Sequence, residues 1–288
     1  MRTTWWRHLV AGVAIAFSLF PVVYIVSTAF NADQSLSASS LVPRDVTLAN
    51  FRELLSGHTT SAGGRTLEIP YVRWFANSLL VATAAALLTV ALGALAAYAF
   101  SRFRFRGRRM GMMTLLLIQM FPVFLAIVAI YLILLQTGDI FPFLGLNTLT
   151  GLIVVYLGGA MGVNVWLMKG FFDTIPAELD ESARVDGATP AQIFWGVVLP
   201  LAAPVLAVVG LISFITTLNE FLIAGTLLQT MERQTLPVGM QFFVSQQYAE
   251  EWGTFAAGVL LAAIPVVVLF MALQRFIVQG LTRGAVKG

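Results

Sequence analysis

Cysteine is absent from all 288 residues, which excludes disulfides, thiolate nucleophiles and cysteine-based metal sites. Histidine occurs only at His8 and His58, too few and too isolated to hold a metal, so no metal ligands are assigned. Charged residues make up 11% of the chain, against about 25% in soluble domains. The sequence has no Gly-x-x-x-x-Gly-Lys-Ser/Thr loop to cradle nucleotide phosphates, no His-Glu-x-x-His and no Gly-x-Ser-x-Gly nucleophile turn. No catalytic residue or cofactor of its own is therefore expected, and any ATP chemistry must come from a partner.

Hydrophobic residues, by contrast, reach 58%, above the roughly 45–50% of soluble domains. They fall into six runs, each near the roughly 20 residues that a bilayer-spanning helix needs. The expected spans are 9–30, 74–100, 110–135, 152–171, 201–228 and 255–278. This predicts an all-α polytopic membrane protein with a short N-terminal segment (1–8), a transmembrane domain (9–278) and a tail (279–288). Arg2 and Arg7 precede the first run in the manner of a signal peptide, but its apolar core is longer than such peptides carry, so an uncleaved anchor is expected.

Basic residues set the orientation. With the N-terminus in the cytoplasm, twelve Lys/Arg residues fall inside and five outside (Arg44, Arg52, Arg65, Arg73 and Arg233), which favours both termini cytoplasmic. Five of the inner set lie in Arg102–Arg109 (RFRFRGRR), directly after a span, where they suit phospholipid headgroups better than nucleic acid.

The same topology places the polar stretch 176–200, PAELDESARVDGATPAQIFWGVVLP, on the inner side. It is patterned as two short helices. Pro176 suits a first helical position, and Asp180 and Arg184, four apart, can pair along one face. Gly187 ends the first helix, and Thr189-Pro190-Ala191-Gln192 opens the second with a capping box. Ile193, Phe194, Val197 and Val198 give the second helix its apolar stripe.

Three features inside the spans stand out. Pro122, in Gln119-Met120-Phe121-Pro122, must break the third span, which suggests a place in the bundle interior close to a translocation path. Gly158 and Gly162 allow close helix approach. Asn219-Glu220 puts a carboxylate well inside the fifth span, at a cost of about 2.5–3.5 kcal/mol on insertion scales. Glu220 either lines a cavity and bonds substrate hydroxyls or braces a neighbouring helix. Outside the spans, residues 31–73 read as loop with a short surface helix near Leu48–Leu55.

The 176–200 stretch resembles the EAA loop of permeases in binding-protein-dependent ABC importers. The pattern appears as Glu181-Ser182-Ala183, Gly187, Val197 and Leu199-Pro200, with Ser182 replacing the usual alanine. Four more segments extend the similarity over nearly the whole chain to the MalG-type subunits of maltose/maltodextrin importers: Gln-Met-Phe-Pro at 119–122, Phe143–Thr148, Asp186–Pro190 and the tail Gly280–Gly288.

The resemblance implies a type I ABC importer permease fold whose cytoplasmic EAA helices dock in the clefts of ATPase subunits. Glu181, Ser182, Ala183, Asp186, Gly187, Leu199 and Pro200 then carry the coupling, while Gly284, Val286, Lys287 and Gly288 insert along the ATPase interface. The implied partners are a larger, MalF-type permease subunit that holds most sugar contacts, a dimer of ATPases that binds the ATP, and an extracytoplasmic binding protein. The first external region would rest on that binding protein. Gln246, Gln247 and Tyr248 in the last external loop suit contact with its sugar, and Gln119, Asn219 and Glu220 are the candidates along the path. The competing class is a self-contained carrier or channel, which would often show internal repeats and paired intramembrane charges; neither is evident.

Overall fold

In a bilayer every backbone N–H and C=O must be satisfied within the protein, so long apolar runs fold as helices. The computed structural model, which describes residues 5–32, 43, 45–60, 66–244 and 251–285, follows that rule. Helix α1 is Trp5–Ala29 and α2 is Ala49–Ser56, the short helix expected near Leu48–Leu55. A small antiparallel hairpin of β1 (His58–Thr60) and β2 (Thr66–Glu68) follows, with Thr59 opposite Leu67. Next come α3 (Tyr71–Arg102), α4 (Arg108–Gln119), α5 (Val123–Ile140) and α6 (Leu149–Phe172). The polar stretch forms α7 (Ala177–Val185) and α8 (Pro190–Ile193), continued by a π-helical turn at Phe194–Val198 and by α9 (Leu199–Leu201). The chain ends in α10 (Ala203–Leu218), α11 (Leu222–Leu227), α12 (Leu236–Val244) and α13 (Trp252–Ala285).

Among the described residues, five helices are long and apolar enough to cross a membrane: α1, α3, α5, α6 and the Trp252–Phe276 part of α13. The count becomes six if Pro190–Leu201 and α10, which meet at 76°, form one broken span. The bend falls at Ala202, between Pro200 and Pro204. Neither proline has an N–H, and the Pro204 ring crowds the carbonyl of Pro200 four residues back, so a straight helix cannot pass through.

The chain divides into two compact units. One comprises Met1–Phe75 with Leu236–Pro265. Its core gathers Leu54, Ile69, Tyr71, Trp74, Leu236, Met240 and Phe243, and the Tyr71 hydroxyl donates to the Gly258 carbonyl at 2.9 Å. Asn50 of α2, almost fully buried, donates to the carbonyls of Ala29 and Asn31, both at 2.9 Å, and so ties α2 to the end of α1.

The other unit comprises Ala76–Thr235 with Val266–Gly288. Its main core runs from Ala94, Ala97 and Tyr98 of α3 through Val165, Met168 and Phe172 of α6 to Ile193, Phe194 and Val198 of the polar stretch. The stretch is thus one wall of a hydrophobic core.

Pro122 breaks the third span, as expected, into α4 and α5, and Phe121 and Phe124 beside the break are 57% and 63% exposed within this chain. Apolar side chains on that flank stay largely exposed among the described residues.

Candidate functional site: an elbow held by the last turn of a span

The residues of α7 through α9 form an elbow whose turn is fixed by backbone chemistry. Gly187 has φ +84°, the left-handed region that side chains disfavour, and no atom lies within 4 Å of where its Cβ would be. Conformation alone therefore selects glycine here. The Thr189 Oγ1 accepts the Gln192 N–H at 3.3 Å, and the Gln192 Oε1 accepts the Thr189 N–H at 2.8 Å, which completes the expected capping box. Pro176 stands one residue earlier than expected, as the N-cap rather than the first helical residue.

The second arm packs by the anticipated stripe. Ile193, Phe194 and Val198 are buried and Val197 is partly buried against the same core. The first arm differs from expectation. Asp180 does not pair with Arg184; it turns inward, 2% exposed, and its Oδ2 lies 2.7 Å from Nε of Arg102 at the end of α3. That contact is a charge pair without an aligned hydrogen bond. An inner cation four helices earlier in the chain outcompetes the local one because it compensates a carboxylate already out of water.

With Asp180 turned in, α7 shows its other side outward. Glu178, Leu179, Glu181, Ser182, Val185 and Asp186 are exposed, and Val185 reaches 88%. Ala183 lies partly buried beneath them, and Leu199-Pro200 lead into the bend. At the entry to the elbow, Asp173 accepts from Ser101 Oγ at 2.6 Å and from Lys169 Nζ at 2.5 Å. Partial burial pushes the Asp173 carboxyl up, but those two hydrogen bonds and the charges of Lys169 and Arg108 outweigh it and hold it below its ordinary value. Arg108, Arg109 and Lys169 also border an open cleft of about 770 Å³ walled by Met112, Met113 and Trp166.

Each of the path candidates makes a hydrogen bond within this chain, although Asn219 is exposed. Gln119 donates to the Gly159 carbonyl and lies so close over Gly162 that a Cβ there would sit 2.7 Å from its Nε2. Of the glycine pair read from the sequence, Gly162 thus admits a side chain from α4, whereas a Cβ at Gly158 would meet no atom within 4 Å among the described residues. Asn219 donates to the Ile215 carbonyl at 2.8 Å. Glu220 has three donors: the Tyr156 hydroxyl at 2.5 Å, and the Ile223 and Ala224 N–H groups at 2.8 and 3.0 Å. It caps α11 and docks it on α6, which explains why the expected fifth span is interrupted at Asn219–Phe221. Tyr156 had no sequence signal beyond its presence in an apolar run, and neither did the buried Asn164, which donates to Ser213 Oγ at 3.2 Å.

Asn147 was also not anticipated. It adopts φ +58°, and its Oδ1 accepts from the Gln229 and Thr230 N–H groups, each at 3.1 Å. Gly284 lies in the last described turn of α13, whereas Val286, Lys287 and Gly288, like Gln246, Gln247 and Tyr248, fall outside the described residues.

Comparison with known proteins agrees with this architecture. Residues 89–283 match the family described as binding-protein-dependent transport system inner membrane component. The chain is 40% identical over 287 residues to the maltose/maltodextrin transport system permease protein MalG of Vibrio parahaemolyticus serotype O3:K6, covering 99% of this chain and 96% of that one. It is 40% identical over 284 residues to MalG of Escherichia coli K12, covering 98% and 95%. Among solved structures, a bacterial ABC transporter involved in import of the acidic polysaccharide alginate superposes with a TM-score of 0.75 at 23% identity, over 96% of this chain and 98% of that one. At that identity the likeness concerns fold alone. The chain belongs to the inner membrane components of binding-protein-dependent transport systems: it is a multi-pass permease subunit of an ABC importer, of a family without a catalytic site of its own.

Proposed function

We propose that this chain is the smaller permease subunit of an importer that takes up maltose or maltodextrin-like sugars by alternating access. A MalF-type permease completes the pathway, separate ATPase subunits supply the work, and an extracytoplasmic binding protein delivers the sugar. The observation that carries the reading is the elbow: a turn locked by Gly187, one arm embedded in the core, and an outward face on α7 that carries Glu181 and Ser182. The distribution of basic residues supports a cytoplasmic placement for that face and for both termini.

In this reading ATP closes the ATPase pair, their clefts carry Glu181–Gly187 inward, and the helices attached to the elbow reorient. Such a change requires contacts that differ between the two states. Ala183, Asp186, Leu199 and Pro200 shape the docked surface, and Gly284, Val286, Lys287 and Gly288 extend along the ATPase interface. Gln246, Gln247 and Tyr248 meet the binding protein. The cations at the Arg108 cleft suit phospholipid headgroups at the inner surface.

Sugar class rests on the 40% identity to the named maltose permeases. The test is uptake by vesicles holding this chain, its permease and ATPase partners, and the binding protein, against maltose, maltodextrins and trehalose. Import should require both ATP and the binding protein and should favour maltose-type sugars. ATP-independent uptake would refute the mechanism, and a preference for trehalose would refute the sugar assignment.

A further inference from the structure

One turn of α3 holds the elbow at four points. Tyr98, Ser101 and Arg102 stand at i, i+3 and i+4, so they share one face of the helix. The Tyr98 hydroxyl donates to the Pro190 carbonyl of the second arm at 3.3 Å. Ser101 donates to Asp173 at the entry, at 2.6 Å. Arg102 donates from Nη2 to the Ile175 carbonyl at 3.0 Å and places Nε 2.7 Å from the Asp180 carboxylate on the first arm. Asp180 and the Arg102 side chain are 2% and 10% exposed, and neither Asp180 oxygen has a hydrogen bond. Arg102 is therefore the carboxylate's compensation.

A buried ion pair contributes little net stability relative to a neutral pair of similar shape, whereas removing one partner is strongly destabilising. Its mechanical consequence is sharper. The first arm cannot slide along α3 without leaving a charge buried and unpaired, so α7 and the end of α3 must move together.

We infer that Arg102 and Asp180 are positioning residues for transport: their buried ion pair is the tie through which displacement of the elbow is delivered to α3. This inference rests on the proposed role of the elbow as the contact for the ATPase. Of the four attachments it is the one made by opposite full charges out of water, and it lies on the inward face of α7, behind the face left open for a partner.

The test uses the complete transporter in vesicles with the double variant R102Q/D180N, which removes both charges and strands neither. Three quantities are read: ATPase co-purification, ATP hydrolysis, and sugar imported per ATP hydrolysed. The double variant should assemble at the wild-type level and hydrolyse ATP within about twofold of wild type. Sugar imported per ATP should fall about tenfold, within the usual range of coupling between sites. A wild-type ratio would reduce the pair to charge balance and overturn the inference. Should the double variant not be recovered from membranes, Arg102→Lys decides. Lysine keeps the charge but not the fork that reaches Ile175 and Asp180 together, so normal assembly with a lowered ratio supports the tie and an unchanged ratio overturns it. Failure of the wild-type chain to bind the ATPase through the elbow would instead refute the underlying reading.

Discussion

Replacing Gly187 separates two reasons why the turn of the elbow needs glycine. The residue has φ +84° and open space around its Cβ position. Within this chain, then, the cost of any side chain is conformational, about 1–2 kcal/mol for an ordinary L-residue in the left-handed region. That corresponds to about a 5- to 30-fold loss of the correctly formed turn. Asparagine tolerates this region better than alanine, and β-branched valine worse. Strain therefore predicts the order Gly, Asn, Ala, Val in ATPase co-purification and in binding-protein-stimulated ATP hydrolysis. If instead a partner packs directly on the bare backbone, volume decides, and alanine should exceed asparagine. Both assays run on the detergent-solubilised transporter, with membrane insertion checked separately. Equal activity for Gly187→Val and wild type would refute the claim that the turn governs docking, and alanine above asparagine would refute the strain argument.

Glu220→Gln keeps the shape but turns one oxygen into a donor that faces donors, so about 1–3 kcal/mol should be lost, seen as a lower Tm in detergent. An unchanged Tm with altered sugar selectivity would assign Glu220 to the path instead. Asp173 has a depressed carboxyl pKa, so its contribution is fully present above the unfolded value and disappears as pH falls through the lower folded value. The group is 42% exposed, so screening limits the effect to less than about 1 kcal/mol. The difference in thermal stability between wild type and Asp173→Asn should narrow as pH falls from about 6 toward the acid end, and a constant difference across the acid range would refute the pairing. Truncation after Thr282 removes Gly284, Val286, Lys287 and Gly288 and should lower stimulated ATP hydrolysis without loss of insertion; an intact rate would exclude the tail from the mechanism.

The elbow was legible because its signals are local. A left-handed glycine, a Thr-Pro-Ala-Gln cap and an apolar stripe act within one or two turns; each appears at its residues, although the stripe runs onto a π-helical turn instead of a continuous α-helix. Span existence was legible for the same reason, since hydropathy sums over neighbours. For two carboxylates, sequence spacing failed. Asp180 had Arg184 four residues on, yet took Arg102, 78 positions earlier in the chain. Glu220 broke its own helix to cap the next and bond Tyr156. Out of water the penalty for an uncompensated group exceeds any helix-face preference, so the partner is whichever cation or donor the fold brings closest. At Phe121–Phe124 the same limit holds: Pro122 dictates the break, but the exposure of the side chains beside it depends on neighbours that spacing does not name.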